Sequence, residues 1–133
     1  MRHLPTRDIP SVLRRGKSVE QFLGQSPGIA GSIRHVELRP TAGDVELWVF
    51  DVQDIGAEDF VDIYDFHCSE LDGPRESAGK FGDADAALAT AERILGANPD
   101  RWTNLGVGQD EYLDFVRAGR PLNWPVAAAD SHR

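Results

Sequence analysis

The longest apolar run of the chain spans residues 44–52 and combines β-branched with aromatic side chains, which is typical of a β-strand. Successive strand side chains point to opposite sides of a sheet. Odd positions give a first face, Val45, Leu47 and Val49, and even positions a second face, Trp48, Phe50 and Val52. A strand that is apolar on both faces needs cover on both, so the pattern predicts an inner strand of a sheet.

Two neighbouring segments carry weaker strand patterns. Ser32–Arg39 alternates in part and is ended by a proline, and Phe60–Phe66 is rich in aromatic and β-branched residues. The connections on either side of the central strand are short, which favours an antiparallel meander. Lys80 and Phe81 can add a short fourth strand.

Helical spacing occurs in both halves of the chain. In the N-terminal half, a helical turn near residues 9–13 ends at Gly16, and residues 18–21 match a capping box, which predicts a short helix ending at Gly24. In the C-terminal half, Asp83 begins a helix with an apolar stripe that ends at Gly96. A further helix is predicted over residues 109–118.

The length and these elements together predict one α+β domain over residues 1–133. We expect a three- to four-stranded antiparallel β-meander packed against mainly C-terminal helices. Residues 1–7 and 126–133 are expected to be flexible ends.

The second face of the central strand leaves two alternatives open. With the predicted third strand it collects many aromatic residues, namely Trp48, Phe50, Phe60, Tyr64 and Phe66. Helices could cover this face completely, or part of it could stay open as a surface for a partner or for a second copy of the chain.

The formal net charge is −8 and the pI is near 4.8. This disfavours nucleic acid and anionic membranes as partners, because both require clustered Lys and Arg, but it allows a basic protein or a metal ion. Cys68 is the single cysteine, so the chain can form no internal disulfide and no Cys-rich zinc site. No apolar run is long enough to span a bilayer, and residues 1–10 lack a signal-peptide core, so we expect a cytoplasmic protein.

Four features of the sequence could indicate chemistry. Ser26 lies in a G-x-S-x-G pattern, as in a nucleophile elbow, but it follows a predicted helix and precedes a proline. The glycines at 106 and 108 could form a phosphate cradle, but they precede a helix whose first turn is acidic and would repel an anion. His67 and Cys68 are adjacent in a predicted strand and would face opposite ways. The remaining histidines, His3, His35 and His132, have no metal-ligand spacing. We therefore predict no catalytic residue, no cofactor and no metal ligand.

Acidic residues are concentrated in one part of the chain. Residues 44–72 hold ten Asp or Glu and no Lys or Arg. These carboxylates could be solvated or could meet the basic N-terminal third of the chain; they could form a surface for a basic partner. A divalent-cation site built from Asp51, Asp54, Glu58 and Asp59, or a pair of carboxylates acting as general acid and base, are further alternatives.

The leading hypothesis is a small acidic, non-enzymatic binding protein that engages a basic partner protein. In composition and size the chain is similar to small acidic inhibitors or immunity proteins that neutralise basic toxins. The predicted partner-binding residues are Asp51, Asp54, Glu58, Asp59, Asp62, Asp65, Trp48 and Tyr64. The alternatives are a structural homodimer, or a small enzyme or ligand-binding domain with a pocket between sheet and helices near Trp48, Tyr64 and Trp102.

Overall fold

A computed structural model describes residues 2–68 and 77–126 of the chain. It has an α+β fold with a five-stranded antiparallel sheet in the order β4-β3-β2-β1-β5. The strands are β1 Val19–Gln25, β2 Ser32–Thr41, β3 Asp44–Gln53, β4 Gly79–Phe81 and β5 Thr103–Asn104, and the helices are α1 Ile9–Arg14, α2 Ala84–Leu95 and α3 Gly108–Arg117. Short 3-10 turns occupy Thr6–Asp8 and Ile63–Asp65.

The prediction of an inner central strand is confirmed, since β3 lies between β2 and β4. Strands β2 and β3 pair over their whole length, from Ser32 opposite Gln53 to Thr41 opposite Asp44. Residues 42 and 43 connect them and both have positive φ, 35° and 91°. This is the backbone conformation that matches the twist of a two-residue hairpin.

The helix predicted over residues 18–24 is wrong, because this segment forms β1. Val19 and Gln21 face the first core, whereas Glu20 and Phe22 belong to the second face. The capping-box pattern is a local and weak preference, and hydrogen bonding to β2 on one side and β5 on the other outweighs it.

The strand predicted over residues 60–66 is also wrong. The segment belongs to a loop, residues 54–68, that contains the 3-10 turn Ile63–Asp65. Ile63 and Phe66 are both buried, and side chains three positions apart share a side in a turn rather than in a strand. The strand next to β3 is therefore β4, and the described sheet has five strands rather than three or four.

The predicted C-terminal helices are confirmed. The Asp83 side chain accepts a hydrogen bond from the Ala86 N–H at 2.8 Å, and Gly96 ends α2 in the left-handed conformation. Helix α1 adds an N-terminal helix to the layer against the first face. The N-terminal segment is tied to the fold by the Leu4 N–H, which donates to the Trp102 carbonyl at 2.7 Å. Val126 is exposed, and residues 127–133, which include His132, lie outside the described residues.

The sheet separates two hydrophobic cores. Helices α1 and α2 pack with Trp102 against the first face. Helix α3 and the 54–68 loop pack against the second face around Phe22, Ile33 and Val52. This second core reaches only one end of the second face, and the candidate site begins at the edge of that core and extends toward the uncovered end.

Candidate functional site

The open half-face is the part of the second face formed by Glu37, Arg39, Glu46, Trp48 and Phe50. It lies toward the β2–β3 hairpin, and of its five residues Phe50 packs against the edge of the second core. Trp48 and Phe50 are only half-buried there, although each is large enough to fill a core position. The alternative of a partly open second face therefore describes the arrangement better than complete cover.

A row of stacked side chains runs across the open half-face. The Arg39 guanidinium lies 4.3 Å from the centre of the Trp48 ring, and the Trp48 and Phe50 rings are nearly parallel with centroids 6.3 Å apart. Phe50 stacks on His35 at 5.0 Å, and His35 meets Tyr64 edge-to-face at 5.8 Å. Cross-strand register creates the row, because His35 lies opposite Phe50 and residue 37 lies opposite Trp48.

Glu20 lies at the end of this row and is almost fully buried, with 1% of its surface exposed. One of its carboxylate oxygens accepts hydrogen bonds from the N–H groups of Gly106 and Gly108, each at 2.8 Å, and from the Tyr64 hydroxyl. Burial raises the pKa of the Glu20 carboxyl; the three hydrogen bonds oppose this rise and the nearby Glu37 charge adds to it. Burial also raises the pKa of the Tyr64 hydroxyl, with Glu20 as its second cause.

A cavity of about 300 Å³ opens between the open half-face and the 54–68 loop. We name it the Glu20 cavity. Two carboxylates, one imidazole and several apolar or aromatic side chains line it. They include Glu20, His35, Glu37, Phe50, Tyr64 and Leu105. No Lys or Arg of the described ranges 2–68 and 77–126 lines it.

His35 forms part of the cavity wall and is 5% exposed. Burial lowers the pKa of its imidazole to about 4, against the opposing effect of the Glu37 and Asp51 charges. The ring is therefore neutral at pH 7. Its Nδ1 is buried and has no hydrogen-bond partner in the described part of the chain.

Three of the predicted partner-binding acids are bound within the chain. Asp51 accepts two hydrogen bonds from Arg34, at 2.8 and 3.0 Å, while Asp54 pairs with Arg120 and Glu58 with Arg117, each at 2.8 Å. Asp51 also lies on the first face, opposite in direction to Trp48. The acids predicted to form one cluster are thus separated. Asp51 is held on the first face, whereas Asp54 and Glu58 lie in the 54–68 loop and bond to arginines at the end of α3 and just after it.

Two of the other predicted site residues lie in or beside the cavity. Tyr64 lines it with 43% of its surface exposed, and Trp48 belongs to the adjoining open half-face. Asp59, Asp62 and Asp65 are exposed on the 54–68 loop. Trp102, the third residue of the predicted pocket, is fully buried in the first core on the other side of the sheet.

Sequence reasoning missed Glu20, His35 and Glu37. Placing residues 18–24 in a helix separated Glu20 from β2, whereas in the sheet Glu20 lies directly opposite Glu37. A strand interpretation of β1 would have put Glu20 and Phe22 on one face, and that two-residue spacing is the one signal that could have found the site.

The motifs considered for chemistry have structural roles. The N–H groups of Gly106 and Gly108, which resembled a phosphate cradle, bind the carboxylate of Glu20. Ser26 is buried in the β1–β2 connection, where its N–H donates to the Ser32 carbonyl at 2.9 Å. Within the described residues, no group of three or more His, Cys, Asp or Glu side chains could hold a metal ion.

A larger cavity, of about 530 Å³, lies where α1 and α2 meet the β2–β3 hairpin. Its charged lining residues are Arg14, Asp44, Asp83 and Asp85. Asp83 already caps α2, and Asp44 lies 3.7 Å from the Lys80 ammonium. Of these two cavities, the Glu20 cavity is the stronger candidate because it joins a buried carboxylate to the open half-face.

Among residues 2–68 and 77–126, no helix is both long and apolar enough to cross a membrane. Comparisons with models of known protein families, with curated proteins and with solved structures found no match to this chain. The open half-face and the Glu20 cavity are therefore the features from which a function can be inferred.

Proposed function

We propose that this chain is a non-enzymatic binding protein that captures a basic partner protein through the open half-face. The observation that carries the proposal is the half-buried row of Trp48 and Phe50 with the carboxylate of Glu46 beside it. Aromatic residues with a charged rim are enriched where proteins bind one another. The similarity in size and composition to small acidic inhibitors and immunity proteins supports the same function.

Electrostatics support a basic partner over an acidic one. The net charge of −8 attracts positively charged proteins at long range, and Asp59, Asp62 and Asp65 are exposed on the 54–68 loop, which also contributes Tyr64 to the cavity. Asp51, Asp54 and Glu58 contribute less than the sequence predicted, because each is already paired with an arginine of the chain. Nucleic acid and anionic membranes are disfavoured by the same charge. The proposal includes a cytoplasmic location, since a single cysteine needs no oxidising compartment.

Capture experiments with matched variants test this proposal. The wild-type chain, Trp48→Ala, Glu46→Gln and the control Asp85→Asn would each be immobilised and exposed to extract of the source cells. We expect the wild type and the control to retain the same basic protein, and both open half-face variants to retain much less of it. Asp85 is a suitable control because it lies exposed on α2, which packs on the first face.

Salt dependence provides a second criterion, because exposed charges are screened over about 10 Å at 0.1 M salt. We expect capture to weaken as the salt concentration rises. Retention of an acidic protein, or equal retention by the Trp48→Ala variant and the wild type, would contradict the proposal.

The Glu20 cavity favours one alternative, a small enzyme or ligand-binding domain. A buried carboxylate with a raised pKa beside a second carboxylate, Glu37, has the composition of a general acid–base pair. A small-molecule ligand that binds with micromolar affinity and is chemically changed by the wild type, but not by Glu20→Gln, would favour this alternative. A sedimentation mass of twice the chain mass, lost in Trp48→Ala, would instead favour a homodimer formed by the open half-face.

A further inference from the structure

The Glu20 cavity combines two features that attract a cation. Glu20 supplies a carboxylate, and Phe50 and Tyr64 supply aromatic surface. Within the described residues neither a lysine nor an arginine reaches Glu20. The carboxylate is therefore held by N–H and O–H donors alone, with no positive charge opposite it.

The chain itself seats a guanidinium immediately beside this cavity. The Arg39 guanidinium donates to both oxygens of Glu37, at 3.0 and 3.1 Å, and lies 4.3 Å from the centre of the Trp48 ring. A planar cation is thus held between a carboxylate and an aromatic face. The cavity offers the same pair of groups, a carboxylate and an aromatic face, farther along the row. There Glu20 takes the place of Glu37, and the rings of Phe50 and Tyr64 take the place of Trp48.

We propose that the Glu20 cavity receives an arginine side chain of the basic partner, with its guanidinium beside Glu20 and against the rings of Phe50 and Tyr64. This inference rests on the proposed function and names the group that the partner inserts. Arginine fits better than lysine because its flat, delocalised cation stacks on aromatic rings and donates from several N–H groups.

His35 and the size of the cavity support this occupant. His35 is 5% exposed, belongs to the cavity wall, and has a buried Nδ1 without a partner in the described part of the chain. Burial lowers the pKa of this imidazole to about 4, so at pH 7 the wall adds no positive charge that would oppose a guanidinium. A volume of about 300 Å³ is at the lower limit for small-molecule sites, and it suits one long side chain better than a cofactor.

The test uses N-acetyl-L-arginine N-methylamide as the probe and the citrulline analogue as its neutral isostere. Each would be titrated into the full isotope-labelled chain at low salt and followed by NMR. We expect saturable shifts at Phe50, Tyr64 and Leu105, and an affinity for the citrulline analogue that is weaker by about tenfold or more. Equal affinities for both probes, or shifts confined to other parts of the molecule, would overturn the proposal.

Three variants make the result specific. Glu20→Gln keeps the shape of the side chain and removes its charge, and Leu105→Trp narrows the cavity at a residue that is 53% exposed and so is tolerant of change. We expect each to weaken arginine binding by about fivefold or more, and Asp85→Asn to leave it unchanged. Unchanged arginine binding in Leu105→Trp would overturn the proposal even if Glu20→Gln failed to fold.

The two proposals fail in different ways. If Trp48→Ala loses partner capture but the wild type binds both probes equally, the proposed binding function is supported and the proposal of an arginine in the cavity is refuted. Selective binding of the arginine probe without capture of any basic protein would refute the partner proposal, and would assign the cavity to a free guanidinium compound.

Discussion

Replacement of Glu20 by alanine gives the sharpest test of how the site is held together. The carboxylate accepts two N–H groups, from Gly106 and Gly108, and the second of these bonds is buried. Alanine leaves both donors without an acceptor, and each buried unsatisfied group costs about 1–3 kcal/mol. Removing the buried charge offsets part of this loss, so we expect the free energy of unfolding at pH 7 to fall by about 2–4 kcal/mol.

Two matched variants separate the hydrogen bonds from the charge. Glu20→Gln retains a carbonyl oxygen that can accept both N–H groups, and we expect it to change the free energy of unfolding by less than about 1 kcal/mol. Glu37→Ala removes the glutamate directly opposite on the same face, but its Arg39 partner can turn to water, so we expect a loss of about 1 kcal/mol.

Urea unfolding at pH 7 measures these differences through the midpoint and the slope m. Hydrogen exchange supplies a local readout, since the amides of Gly106 and Gly108 should exchange much faster in Glu20→Ala than in the wild type. A Glu20→Ala variant that is no less stable than Glu37→Ala, or full protection of these two amides in Glu20→Ala, would contradict the role assigned to the Glu20 hydrogen bonds.

Three further predictions concern charge and packing. Burial lowers the pKa of the His35 imidazole from 6.5 to about 4. The stability that the neutral ring contributes is therefore fully present above pH 6.5 and is lost as the pH falls from 6.5 toward 4. His35→Asn should remove this pH dependence of the free energy of unfolding, which is worth about 3 kcal/mol and is measured by urea unfolding. Gly108→Ala should cost about 1–3 kcal/mol in the same assay, because the new Cβ would lie 2.8 Å from a Glu20 oxygen. Burial acts to raise the pKa of Glu111, but two arginines and a histidine lower it below its usual range. Glu111→Gln should therefore lower the free energy of unfolding by about 1–3 kcal/mol at pH 7, and by progressively less as the pH falls below 4.5.

Each of these predictions has a control in the chain. His67→Asn changes an exposed histidine and should leave the pH dependence as it is. Gly82→Ala adds a Cβ with no atom within 4 Å, and Glu58→Gln removes an exposed arginine pair that is worth about 0–1 kcal/mol. An equal effect of any variant and its control would show that the assigned contact does not produce the change.

Local patterns were sufficient wherever one element decides its own structure. The apolar residues on both faces of segment 44–52 predicted an inner strand, and the Asp83 cap and the Gly96 stop predicted α2. Both predictions succeeded because a cap or a face is defined by residues close in sequence. Two segments depart from their local patterns. In residues 18–24, pairing with β2 and β5 outweighs the helical preference, and in residues 60–66, packing under α3 outweighs the strand preference.

The charge pattern shows the same division. The chain's acidity and the acid-rich stretch of residues 44–72 can be read from the sequence. Which carboxylates remain available cannot, since Asp54 meets Arg120 across 66 positions and Glu58 meets Arg117 across 59. Counting charges along the chain carries no information about such distant pairs.

The residues alone predict the α+β class, a central strand that is apolar on both faces and an excess of acidic side chains. The packed fold then covers one end of the second face, leaves its other end open, and buries Glu20 beside Glu37 and His35. A strand's hydrophobic period shows which side chains share a face, whereas the covering of that face depends on where distant segments pack.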